Sequence, residues 1–133
     1  MAFFIHSVDD GHVPPNECLP AAAITPKAGM ALVQSSGNLS AASGANKPTY
    51  ICLQEGSAAV TAGTPIAVMR VSPEVVYETT LSAAGTSLTL GAKVTLASGG
   101  LQVTATTTDG VAEVVGFPDG TKASGNSVLV RFA

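Results

Sequence analysis

Four side chains near the start of the chain have the types that do chemistry: His6, Asp9, Asp10 and His12, in the run HSVDDGH. Two imidazoles and two carboxylates within seven residues could ligate a zinc or manganese ion, which take nitrogen and oxygen donors. The same run holds Asp10-Gly11, a turn signal in its own right, and nothing elsewhere completes a ligand pattern. A solvated turn is therefore the expectation, with no metal and no cofactor. Nucleophilic chemistry has less support. There is no G-x-S-x-G elbow and no S-x-x-K, and Cys18 lies six residues from His12 without any recognisable family signature. The glycine-rich turns lack the G-x-G-x-x-G order and a following helix, so no phosphate cradle is implied. Glu55, Glu74, Glu78 and Glu113 are scattered, which gives no paired acid and base for glycosides. An enzyme is not expected. Tyr50 and Tyr77 could stack on a sugar, but both fall in strand-like runs, where a core or strand-face role is the default.

Composition narrows the partners. The chain has 133 residues, 46% hydrophobic and 11% charged, with a net charge of −3, against about 25% charged in ordinary domains. Six basic residues spread over the whole length make no electrostatic footprint for nucleic acid or anionic lipid, which need clustered lysine and arginine. A surface of Ser, Thr, Gly, Ala, Asn and Gln suits a protein that packs against neighbours. No run approaches the roughly 18 apolar residues of a membrane span, and residues 1–8 lack a basic n-region. The expectation is a protein made in the cytoplasm. Its two cysteines, Cys18 and Cys52, cannot build a disulfide framework and are expected as reduced, buried thiols.

The elements that must position any site are strands. From Ser87 to Phe132, short Leu/Val/Thr runs alternate with Ser-Gly, Gly-Gly, Asp-Gly and Gly-Asn turns, the pattern of antiparallel strands joined by tight turns. Strands are expected near 88–90, 93–97, 101–107, 111–116 and 127–132. Earlier ones are expected near 30–34, 38–42, 49–54 and 65–71, with a further one over 74–80. Helix should be scarce. Residues 1–26 read as an extended N-terminal arm, because Pro14, Pro15, Pro20 and Pro26 break any helix. Its apolar tip, Phe3-Phe4-Ile5, suggests docking onto its own domain or onto a neighbouring subunit. The organisation is then an arm over 1–26, a β-module over 27–71, a connector over 72–86 and a second β-module over 87–133. The fold class expected is mainly β, small antiparallel β-barrel or sandwich units, with the two modules either separate or folded as one compact domain.

A shift of about 62 residues overlays Gly29 on Gly91, Ser36-Gly37 on Ser98-Gly99 and Gly63 on Gly125. Leu32/Val94, Cys52/Val114 and Ile66/Val128 keep apolar character under the same shift. Turn glycines carry the signal, since a position at positive φ tolerates little else. Two readings stand: a duplicated β-module, or two unrelated meanders with similar turns.

The chain also resembles the small decoration (cement, head-stabilising) proteins of tailed bacteriophages and prophages over about residues 19–132. Leu19-Pro20-Ala21-Ala22-Ala23 leads into Lys27-Ala28-Gly29 as their Pro/Ala-rich arm leads into a Thr/Ala/Val/Gly β-domain. Gly29–Val33 followed by Gly37–Gly44 resembles their opening hairpin, and 62–71 and 125–132 resemble their closing strands. The resemblance implies a non-catalytic protein on the capsid exterior of the virion. It would bind the major capsid protein of an expanded head as a homo-oligomer, with a trimer favoured. Capsid contacts are then expected at Phe3, Phe4, Ile5, Val13, Pro14 and Pro15, from an arm able to add a strand to a sheet edge. Two other readings share this composition: a tail, baseplate or head-fibre module, and a carbohydrate-binding β-module with Tyr50 or Tyr77 exposed.

Overall fold

Along Ser127–Arg131 the alternation Ser-Val-Leu-Val-Arg turns Val128 and Val130 into the core and its neighbours outward, the period of two that a half-buried strand requires. The same rule builds the whole chain. The structure, a computed structural model, describes residues 2–132 and contains ten strands and no helix among them. They are β1 (Phe4–Val8), β2 (Asn16–Pro20), β3 (Ala31–Ser35), β4 (Asn38–Ala41), β5 (Tyr50–Cys52), β6 (Pro65–Arg70), β7 (Val75–Thr80), β8 (Lys93–Val94), β9 (Ala112–Gly116) and β10 (Ser127–Arg131).

They form two antiparallel five-stranded sheets, as in a β-sandwich, and neither closes into a barrel. One sheet has the order β2-β6-β5-β3-β4 and the other β1-β7-β10-β9-β8. Of the segment 1–26, the described residues 2–26 therefore do not stand apart as an arm. They supply an edge strand to each sheet, β1 beside β7 and β2 beside β6. The prolines permit this because Pro20 sits at the end of β2, opposite Pro65 at the start of β6, where no ladder N–H is needed. Residues 75–80, expected as a strand within a connector, form β7, which lies inside a sheet between β1 and β10.

The register settles the question of duplication. Ala31↔Ile51, Leu32↔Tyr50 and Cys52↔Val68 pair across β3, β5 and β6. Advanced by 62 residues, the same pairs recur as Lys93↔Glu113, Val94↔Ala112 and Val114↔Val130 across β8, β9 and β10. Strand β2 repeats as β7 with an offset of 60, Cys18↔Ala67 matching Glu78↔Leu129. Turns repeat as well: the Gly29 N–H donates to the Cys52 carbonyl, as Gly91 does to Val114. Both glycines have positive φ, 84° and 89°, which explains why the glycine survives in each copy. Single parallel bridges, Ala21↔Leu39 and Leu81↔Val103, tie the two ends of each unit. The chain is thus one five-stranded unit, β2–β6, written again from β7 to β10 with the counterpart of β4 reduced to the single Leu96↔Val103 bridge, and with β1 added outside the second.

Each repeat has its own core. One is built on Leu32, Leu39, Cys52, Ile66 and Val68. The other is built on Tyr77, Val94, Val114, Val128, Val130 and Phe132, and it also takes in Phe3, Ala31 and Ile51 from the first half. That borrowing joins the two units.

Candidate docking surface

The Phe3-Phe4-Ile5 tip divides by burial. Phe3 is 1% exposed and lies in the second core, its ring 5.3 Å from that of Phe132. Its N–H donates to the Gly29 carbonyl at 2.8 Å. Phe3 is therefore structural and not available as a contact residue, because its side chain is what anchors β1. Phe4 and Ile5, on β1, are 49% and 36% exposed. They rim a small apolar cavity of about 350 Å³ whose other walls include Leu53 and Met69, with Phe3 and Tyr77 beneath. A β-bulge between Ile5 and Ser7 re-aims the strand next to this rim, as bulges do.

Val13, Pro14 and Pro15 fall elsewhere, in the β1–β2 connector, where they line a groove of about 600 Å³ with Glu17, Arg70 and Val71. Val13 is 62% exposed. Arg70 is shared with a neighbouring groove of about 650 Å³ that includes Gln34, Lys47, Pro48, Tyr50 and Phe132. The guanidinium pairs with the Glu17 carboxylate at 3.4 Å and sits 5.6 Å from the Tyr50 ring centre. Glu17, and secondarily Tyr50, hold the Arg70 pKa above its ordinary value. Sequence reasoning did not single out Arg70, Lys47 or Leu53, since only the fold brings them beside the predicted residues.

The four side chains with metal-binding chemistry do not converge. His6 faces Glu78 at 3.7 Å, Asp9 binds Arg131 at 2.6 Å, and Asp10 accepts the His12 N–H in a tight turn. Among the described residues no three such groups come together. The tyrosines offer no sugar platform, Tyr50 being 7% and Tyr77 0% exposed. Burial pushes the Tyr77 hydroxyl up to about 12, opposed more weakly by the nearby Ser72 backbone, with which it forms no hydrogen bond of normal geometry. Cys52 is buried as expected, but Cys18 is exposed, because the alternation along β2 turns Leu19 to the core and Cys18 outward. Burial raises the Cys52 pKa.

The fold and surface define an all-β tandem repeat with apolar side chains presented on a charge-poor exterior. No protein-family model matches the chain, and no curated protein matches it significantly.

Proposed function

We propose that this chain is a non-catalytic structural protein that binds the outer surface of an expanded phage head and stabilises it. Its partner is the major capsid protein, and it acts as a homo-oligomer, a trimer by the resemblance stated above. The observation that supports this reading best is the set of exposed apolar side chains near the N-terminus, Phe4, Ile5 and Val13, held on a strand and a proline-stiffened connector. Exposed apolar groups on an ordered backbone lose little conformational freedom on docking. Symmetry repeats such contacts over a shell, so that modest individual affinities sum to firm attachment. The contact set is Phe4 and Ile5, on the strand that Phe3 anchors, together with Val13, Pro14 and Pro15 in the connector that follows.

The test replaces the contact residues while leaving Phe3 alone, since deleting the segment would empty part of the core. Phe4→Ser/Ile5→Ser should abolish co-sedimentation with expanded heads while the urea midpoint stays near that of the parent. Undiminished binding by that variant would remove this contact surface. Recovery of the protein with tails and not with heads would instead favour the tail or head-fibre reading.

A further inference from the structure

The cavity beside Phe4 and Ile5 lies at the joint between the repeats. Among the described residues five large hydrophobic side chains are exposed, and three of them, Phe4, Ile5 and Leu53, line this one cavity. Leu53 and Met69 reach it from the first repeat, Tyr77 from the second, and Phe4 and Ile5 from the strand added outside it. No charged side chain lines it. A charged or polar group entering would give up hydration without a side-chain partner, so the occupant that fits is apolar. At about 350 Å³ there is room for one side chain of leucine or phenylalanine size.

The backbone at the rim indicates what carries that side chain. Phe4 and Ser7 pair with Glu78 and Val76 of β7, and the Asp9 N–H donates to the Glu74 carbonyl. The Phe3 N–H turns the other way, to the carbonyl of Gly29, which lines the cavity. Backbone groups alternate sides along a strand, so Ile5 turns its N–H and carbonyl to the same side as Phe3. Strand β7 is the only sheet neighbour of β1, and no other described backbone group bonds Ile5. A bare stretch of sheet edge therefore borders the apolar cavity.

Edges are normally blunted by prolines or charges. Strand β2, the other edge built from the N-terminal residues, follows Pro14 and Pro15, ends at Pro20 and sets Glu17 against Arg70. Strand β1 contains no proline and no Lys, Arg, Asp or Glu. One edge is guarded and the other is left able to pair. Building on the capsid reading above, we propose that an extended segment of the capsid partner lies along β1 at Ile5 and seats one apolar side chain in the cavity. Main-chain hydrogen bonds then supply attachment and the pocket supplies specificity, as in strand addition generally. Leu53 and Met69, contributed by the other repeat, become residues that select the partner.

The affinity of variants for expanded heads tests this. Leu53→Asp should weaken binding about tenfold or more, as loss of a central apolar contact does. Leu90→Asp makes the same change at an exposed leucine that does not line the cavity, and should bind like the parent. Urea midpoints near the parent value would show that both variants fold. Amide exchange at Ile5 should be fast in the free protein and slowed on heads, because its N–H gains an acceptor only there. Parent-like binding by Leu53→Asp, equal loss in Leu90→Asp, or Ile5 exchange unchanged on heads would overturn the proposal and leave the capsid reading standing. A parent that binds no expanded heads would overturn both.

Discussion

Phe3 packs its ring on Phe132, centroid to centroid at 5.3 Å, so the first strand of the chain is secured by the residue that follows the last. Phe132 in turn lies 5.4 Å from Tyr77, and the three rings close the core of the second repeat. Tilted aromatic pairs of this kind add to the area they bury. Phe3→Ala should therefore cost about 3–5 kcal/mol, the range for emptying a buried phenylalanine site. Phe4→Ala, on the exposed face of the same strand, should cost less than about 1 kcal/mol. Urea denaturation of both variants measures the contrast.

Matched glycines of the repeat make a second test. Gly29 and Gly91 share the same positive φ, so an alanine at either incurs about 1–2 kcal/mol of backbone strain. At Gly91 the added carbon meets nothing within 4 Å, whereas at Gly29 it would stand 2.5 Å from the Ala2 side chain and 2.8 Å from the Phe3 carbonyl oxygen. Gly29→Ala should be the more destabilising by a clear margin and should loosen β1. Amide exchange along β1 would register that loosening, and equal effects from the two substitutions would contradict the packing described.

Tyr77 predicts a pH dependence. Its folded pKa is raised to about 12, above the ordinary value near 10. The unfolded chain therefore loses the proton first as pH rises. The stability linked to this group is fully present below about pH 10 and is lost as pH rises toward 12, by an amount on the order of 2–3 kcal/mol. Tyr77→Phe should remove that component of the alkaline loss. At neutral pH it should be neutral or slightly stabilising, since the hydroxyl has no hydrogen-bond partner. Urea midpoints of the two proteins between pH 9 and about 12 give the comparison.

The two thiols should differ in reactivity. Exposed Cys18 should alkylate in the folded protein, while Cys52, fully buried and with its pKa raised, should react only on unfolding. Peptide mass analysis after native and denatured alkylation distinguishes them.

The strands with clear alternation were the legible ones. Residues 38–42, 65–71 and 127–132 give β4, β6 and β10 within a residue or two. Strand β2 was not legible, because prolines at 14, 15 and 20 read as breaks, when they flank an edge strand that needs few ladder N–H groups. Residues 88–90 and 101–107, rich in strand formers, were expected as strands. The first is irregular chain that enters a turn at the exposed Leu90, and the second has a ladder bridge only at Val103, with single backbone hydrogen bonds tying Gln102 to Ala97 and Thr104 and Thr106 to Thr95. Tertiary context overrode local preference there. The repeat showed in the spacing of its turn glycines, but the offset of 60 between β2 and β7 hid the fifth strand of each unit. Of the surface, Phe4, Ile5 and Val13 were accessible to sequence reasoning. The burial of Phe3 was not, since its partners Phe132 and Tyr77 lie at the far end of the chain and in its middle.

The most direct test of the proposed role is co-sedimentation of the purified protein with immature and with expanded heads of a phage that carries its gene. Saturable binding to expanded heads alone is the predicted result, and would point to a site created when the shell expands. Absence of binding to both forms would contradict the proposed function.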